Sequence, residues 1–275
     1  MLSQDFYAKA DAAAIGAAQR TVSLNALRNI EIALPSLETQ RAIVNILSSY
    51  DALIENNQKQ IKLLEEAAQR LYKEWFIDLR FPGFENTPVH DGVPVGWRIG
   101  ILDEVIVYHD KYRKPLSSSE RANFQGKYRY FGAAGILDYV RDFLFDGTYL
   151  LLGEDGTVIN EDGSPVLQYV TGQFWVNNHA HVLTGRDPYS TDYIYMMFKN
   201  MKVSDVVTGV AQLKISQARL SAKKVIIPDN QLVVSYSARI RAMMEKTLIL
   251  QSQIDSLIEA RDRLLPKLMS GEIEI

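Results

Sequence analysis

The sequence contains one long segment twice. Displaced by 193 positions against itself, the chain aligns Gly16-Ala17-Ala18-Gln19 with Gly209-Val210-Ala211-Gln212, Val22-Ser23 with Ile215-Ser216, and Leu27 with Leu220. Ile32, Leu34 and Pro35 fall on Val225, Ile227 and Pro228. Further on, Ile61, Leu64, Glu66, Ala67, Arg70 and Leu71 fall on Ile254, Leu257, Glu259, Ala260, Arg263 and Leu264. Two unrelated helices of similar patterning would not also share a Gly-x-Ala-Gln turn and a proline at one offset. The period is far longer than that of a solenoid repeat, so a single unit is duplicated and no array is built.

Each copy has the same layout. A Gly-Gln turn leads to an alternating segment, Ile30-Glu31-Ile32-Ala33-Leu34 or Lys224-Val225-Ile226-Ile227, which predicts a short strand. Proline ends it and a long helix follows, with Ser36 as the expected N-cap of the first. The apolar line of that helix runs Ile43, Leu47, Tyr50, Ile54, Asn57, Ile61, Leu64, Ala68, Leu71, Trp75. In the second it runs Tyr236, Ile240, Met243, Thr247, Leu250, Ile254, Leu257, Arg261, Leu264, Leu268, and Ser270-Gly271 ends the helix. Both lines step by 4 or 3, the spacing of a coiled-coil seam. Asn57, Thr247 and Arg261 are its polar exceptions, of the kind that fixes register at a cost in stability. One helix leads into the middle of the chain and the other leads out, so an antiparallel pair is expected.

Between them, from Phe81 to Pro228, the helical period disappears. β-rich runs (Val105–Tyr108, Tyr128–Phe131, Thr148–Leu152, Gln168–Val170) alternate with Asp146-Gly147, Asp155-Gly156 and Asp162-Gly163, read as turns. Ser190 to Asn200 reads as a helix. The fold class predicted is α+β: one mixed α/β domain plus two long helices forming an antiparallel coiled coil. The expected divisions are 1–35, a tail matching the end of the middle region; 36–79, the first long helix; 80–228, the domain; and 229–275, the second long helix.

Composition removes several classes. With no cysteine, disulfides, thiol catalysis and Cys-ligated zinc are out. No apolar run approaches the ~20 residues that cross a bilayer, and the charged N-terminus is no signal peptide, so a cytoplasmic protein is expected. There is no P-loop, dinucleotide fingerprint or nucleophile elbow, and no Asn-Pro-Pro-Tyr or Asp-Pro-Pro-Tyr. No catalytic residue and no cofactor is predicted. His179-Ala180-His181 has a spacing that could hold zinc, but no third ligand is apparent and a polar turn or strand edge explains it better. The net charge of -3 is unevenly spread. Lys111–Arg129 and Lys199–Lys224 each carry six basic residues against one acid, while Tyr130–Phe198 carries nine acids against two. Basic side chains neutralise phosphate whatever the base sequence, and specificity needs groups that reach base edges. The candidate DNA-binding residues are Lys111, Tyr112, Arg113, Lys114, Asn123, Gln125, Lys127, Arg129, Tyr130, Gln212, Lys214 and Arg219.

Several phrases, in this order, carry a resemblance: Pro94-Val95-Gly96-Trp97, Tyr130-Phe131-Gly132-Ala133-Ala134-Gly135-Ile136, Leu152-Gly153-Glu154-Asp155-Gly156-Thr157, and Ala211-Gln212-Leu213-Lys214-Ile215-Ser216 leading to Ile226-Ile227-Pro228. With the duplication, they make the chain resemble the specificity subunits of type I restriction–modification systems over nearly its whole length. The resemblance implies a non-catalytic subunit that reads one half of a split site in double-stranded DNA. It also implies that the helices dock modification subunits, which carry adenine methylation, and through them the restriction subunit. Such subunits have two target-recognition domains; this chain is expected to have one, with Met1–Pro35 as the tail of another, either as a natural short form, which could restore the pair by homodimerising, or through loss of the front of its gene. Three alternatives stand beside this reading: a coiled-coil adaptor with a protein-binding head, a zinc enzyme built on His179 and His181, and an inactive remnant of a specificity subunit.

Overall fold

A computed structural model describes residues 4–16, 20–32 and 34–273. The helices are α1 (Gln4–Ala12), α2 (Leu24–Arg28), α3 (Leu37–Tyr72), α4 (Ser118–Ala122), α5 (Thr191–Lys199), α6 (Gln217–Ser221) and α7 (Asn230–Ser270). The strands are β1 (Val89–His90), β2 (Val93–Pro94), β3 (Arg98–Ile101), β4 (Ile106–Tyr108), β5 (Gln125–Phe131), β6 (Ile136–Val140), β7 (Phe145–Gly153), β8 (Asp155–Gly156), β9 (Leu167–Val176), β10 (Ala180–Gly185), β11 (Val207–Thr208), β12 (Leu213–Ile215) and β13 (Lys224–Ile227).

The duplication is visible in the backbone. Ile15 bridges Thr21, and at the same offset Thr208 pairs with Lys214. Gly16 and Gly209 both hold positive φ, 119° and 88°, in the region where glycine escapes the Cβ penalty. Ala17, Ala18 and Gln19 of the first turn lie outside the described residues. Ser23 caps α2 by accepting from Ala26 N, and Ser216 caps α6 by accepting from Arg219 N. The long helices start at equivalent positions, Leu37 and Asn230, and Ser36 caps the first by accepting from Thr39 N at 3.1 Å.

The copies diverge at the predicted strand. β13 pairs antiparallel with β3, Lys224 opposite Ile101 and Ile227 opposite Arg98. The equivalent segment of the first copy is not a strand over residues 30–32 and 34, and Ala33 is outside the described residues. The physical reason is pairing: among the described residues no strand lies beside it, and a lone strand leaves its N–H and C=O groups unmatched. Ile32 and Leu34 are exposed there, whereas Ile227 is buried.

The chain forms two compact units, Met1–Leu63 with Lys246–Ile275, and Leu64–Glu245. In the first, α3 and α7 run antiparallel. Asn57 Nδ2 donates to Gln253 Oε1 at 3.3 Å, and Arg261 Nη1 donates to Asp51 Oδ1 at 2.8 Å, so partner numbers fall as α3 advances. Ile43, Ile54, Asn57, Leu250, Ile254 and Leu268 are buried here, all on the predicted seam. In the second unit, Tyr236 Oη donates to Ala68 O at 2.8 Å. A π-helical turn, Lys73–Ile77, then brings the neighbours Trp75 and Phe76 both into the core, where Phe76 meets Trp97.

The second unit is built on a six-stranded sheet in the order β4-β10-β7-β9-β5-β6, antiparallel except for β5 beside β9. Its centre is buried on both faces. Leu150, Leu152 and Leu183 face a core containing α5, while Leu151, Val182 and Phe174 face a second cluster with Phe131 and Phe145. That alternation is the strand period of two, and each such leucine contributes about 2 kcal/mol of burial. Asp146-Gly147 is not the predicted turn. Gly147, with φ 132°, lies inside β7 opposite Gly172, with φ 78°. Two glycines facing each other let both strands bend without breaking the ladder. A smaller sheet, β11-β12-β8, lies at the end of β7.

Candidate nucleic-acid interface

The first basic segment runs across the strands of the sheet. His109 N donates to Val182 O of β10 at 2.8 Å, and Lys114 N to Val176 O of β9 at 3.4 Å. Trp175 Nε1 donates to Lys114 O at 2.6 Å, and Leu116 N to the hydroxyl of Tyr130 on β5 at 2.9 Å. Arg121 pairs with Asp138 on β6 at 3.1 Å. Ser117 and Glu120 form a capping box on α4, and the Ser117 N–H and hydroxyl hold the Glu120 carboxyl below the usual carboxylate range. A loop tied down at this many points presents its remaining side chains in fixed places.

The tightest anchor is Asp110. Its Oδ1 accepts from Val182 N at 2.8 Å, and its Oδ2 lies 2.6 Å from His181 Nδ1. The other nitrogen of His181 lies 2.8 Å from the carbonyl of Ile215 in β12. Arg113 Nη1 donates to Glu154 Oε2 at 2.7 Å and to Ala180 O at 2.6 Å. Lys214 Nζ lies 3.4 Å from Glu154 Oε1. Arg113 and Lys214, one from each basic stretch and 101 residues apart in sequence, therefore meet at Glu154. His109 is held below the ordinary histidine pKa, first by burial and then by Lys111, against the opposing pull of Asp110.

The twelve predicted residues separate into three groups. Lys111, Tyr112, Lys114, Lys127, Gln212, Lys214 and Arg219 are exposed. Tyr112 is 55% exposed, stacked on His109 and under the Lys111 ammonium, 4.8 Å from its ring centroid. Among the described residues, Lys111 and Lys114 form no ion pair within 4 Å, although the Lys114 charge helps to hold the Glu120 carboxyl low. Asn123 and Gln125 are also exposed but donate to Ser119 O and to Asp138 and Arg121 O. Arg129 is half-buried and donates to Thr171 O at 2.6 Å. Arg113 and Tyr130 are the least accessible of the twelve. The Arg113 side chain is 13% exposed with its guanidinium spent on internal acceptors, and Tyr130 is 1% exposed beneath the Leu116 loop. A chain that crosses polar backbone ends needs internal partners, and these two supply them, Arg113 as a donor and the Tyr130 hydroxyl as an acceptor of Leu116 N.

Composition gave no sign of the acidic partners. Asp110 precedes a basic stretch, and Glu154 sits in a motif that reads as a turn. The histidines of His179-Ala180-His181 have separate partners: His179 pairs with Asp155 and His181 with Asp110. One ligand atom each from Asp110, Glu154 and His181 lies within 4.8 Å of the others, a donor set of the type that takes a divalent cation. The Arg113 guanidinium sits against both carboxylates, 2.7 Å from Glu154 and 3.4 Å from Asp110, and supplies the positive charge that a metal would bring.

Known proteins share this sequence and fold. The sequence profile of the type I restriction modification DNA specificity domain matches residues 6–66 and 94–250. The type I restriction enzyme MjaIX specificity subunit of Methanocaldococcus jannaschii is 27% identical over 269 residues, covering 90% of this chain and 62% of that protein. A putative type I restriction enzyme specificity subunit of Haemophilus influenzae is 34% identical over 138 residues, 50% of this chain and 34% of its own length. The chain thus spans between about a third and three fifths of these relatives. The type I restriction–modification S subunit of M. genitalium has the same fold, with a TM-score of 0.55 at 19% identity, over 94% of this chain and 68% of that one. The match over most of its length shows that the chain belongs to the type I restriction modification DNA specificity domain family.

Proposed function

We propose that this chain is a non-catalytic DNA-recognition subunit of a type I restriction–modification complex. Residues 80–228 act as its target-recognition domain and read one half of a split site in double-stranded DNA. The observation that carries the reading is the convergence of two basic stretches on one anchored surface, with Lys111, Tyr112, Lys114, Gln212 and Lys214 exposed around it. Lysines without internal partners can neutralise phosphates, and an exposed aromatic on a rigid turn can contact bases or sugar. The antiparallel helices 36–79 and 229–275 scaffold the modification subunits, and through them the restriction subunit. The target adenine would be flipped into the modification subunit's pocket, so this chain supplies the address and not the chemistry.

Two such chains related by a two-fold axis would present two identical heads and read an interrupted palindrome. A monomeric mass, alone and with the modification subunit, would argue against that pairing. The work is expected in the cytoplasm; no described helix is long and apolar enough to cross a membrane. The deciding experiment is genome-wide adenine methylation in cells expressing this chain with a cognate modification subunit. A new methylated motif supports the reading. No new motif, from a folded chain bound to the modification subunit, would support the inactive remnant; no binding either would favour the adaptor.

A further inference from the structure

The surface proposed to meet DNA has a carboxylate near its centre. Glu154 is an unexpected residue there, because a negative charge beside phosphate opposes binding. Its side chain is 15% exposed and touches side chains from three elements: Arg113 at 2.7 Å, Lys214 at 3.4 Å and His181 at 3.6 Å. Its backbone joins two more contacts, N donating to His179 O at 2.8 Å and O accepting from Ile215 N at 2.8 Å. One residue thus ties the end of β7 to the 109–114 loop, the start of β10 and β12.

We propose that Glu154 is the positioning residue of this interface: it draws Arg113 and Lys214 together so that the 111–114 turn and the 212–214 segment meet DNA as one rigid surface. This rests on the DNA-reading role proposed above. Glu154 gives up some general affinity and gains a fixed geometry, which is what base readout requires.

The two effects have opposite signs in one variant. The full chain, with its modification subunit, is incubated with a pool of randomised DNA duplexes over a KCl series. The bound fraction and the enriched sequence are both read. Glu154→Gln keeps the shape and removes the charge. A merely electrostatic role predicts more DNA bound and the same enrichment. The positioning role predicts equal or greater retention, with enrichment of the wild-type motif reduced about tenfold, the size expected for loss of one partly buried charged pair. Glu154→Asp, which keeps the charge on a shorter arm, should recover part of the enrichment, and it carries the test if the glutamine variant fails to fold. Enrichment equal to wild type in the folded variants overturns the inference alone. A wild-type chain that enriches no sequence overturns the reading role, and the inference with it.

Discussion

Replacing Lys111, Lys114 and Lys214 by Gln tests whether the exposed cations contact phosphate. Each phosphate contact contributes about 0.9 to the slope of log affinity against log salt. Lys111 and Lys114 form no ion pair within 4 Å among the described residues, so each should carry most of that amount. Lys214 lies 3.4 Å from Glu154 and is 50% exposed, so part of its charge is already balanced and its share should be smaller. The triple variant should therefore lose between about 1.8 and 2.7 from the slope, and about two decades of affinity at 0.1 M KCl relative to 1 M. Fluorescence anisotropy on a labelled duplex over a KCl series measures this directly. Tyr130→Phe is the control. It removes the hydroxyl that accepts from Leu116 N at 2.9 Å, which costs about 1–3 kcal/mol of stability by leaving a buried donor unmatched, yet the side chain is buried and the salt slope should not move. An unchanged slope in the triple variant, with folding intact, would refute the assignment of this face to DNA.

Phe174→Ala empties the centre of the second core cluster, where the ring stacks 5.4 Å from Phe145 and meets Phe131 edge-on, and should cost about 3–5 kcal/mol in urea unfolding. Asn57→Leu replaces a seam residue that is 8% exposed with one long bond to Gln253; the melting temperature should rise while the pairing register, read by disulfide trapping between introduced cysteines, becomes less unique. His109 has its folded pKa lowered by burial, so the neutral ring is favoured in the native state and stability should fall as pH drops below about 6.5 toward the folded value. His109→Gln should flatten that part of a melting-temperature profile, and an identical profile in the variant would count against burial as the cause.

The coiled-coil seam was legible because a helix shows its buried face at a fixed spacing in one short stretch of chain. Every seam residue named from the sequence is buried or half-buried in the structure, the polar Asn57, Thr247 and Arg261 included. The strands of the sheet were found for a similar reason, since the runs around Tyr130, Leu150 and Val170 declare themselves locally. What failed were features whose outcome depends on a distant partner. Ile30–Leu34 has the same pattern as Lys224–Ile227, but only the second has β3 beside it. Gly147 looked like a turn residue because its facing glycine, Gly172, is 25 positions away.

The candidate interface was half-legible on the same principle. Counting Lys and Arg locates stretches rich in charge, and those stretches do converge. Counting does not say which cations are spent inside the protein. Arg113 and Lys114 are neighbours of similar chemistry, yet the side chain of the first donates to Glu154 and three carbonyls while the second is engaged through its backbone N–H and carbonyl. The difference comes from the direction each side chain takes from a loop crossing the sheet, together with an acid supplied from 41 residues further along. A buried Arg–Glu pair of this sort is poor evidence for stability, because desolvation offsets most of the attraction. Its cost makes sense if it defines geometry. The same logic explains why an acidic residue inside a basic surface was invisible from composition: its function is carried by its position relative to Arg113 and Lys214, not by its charge.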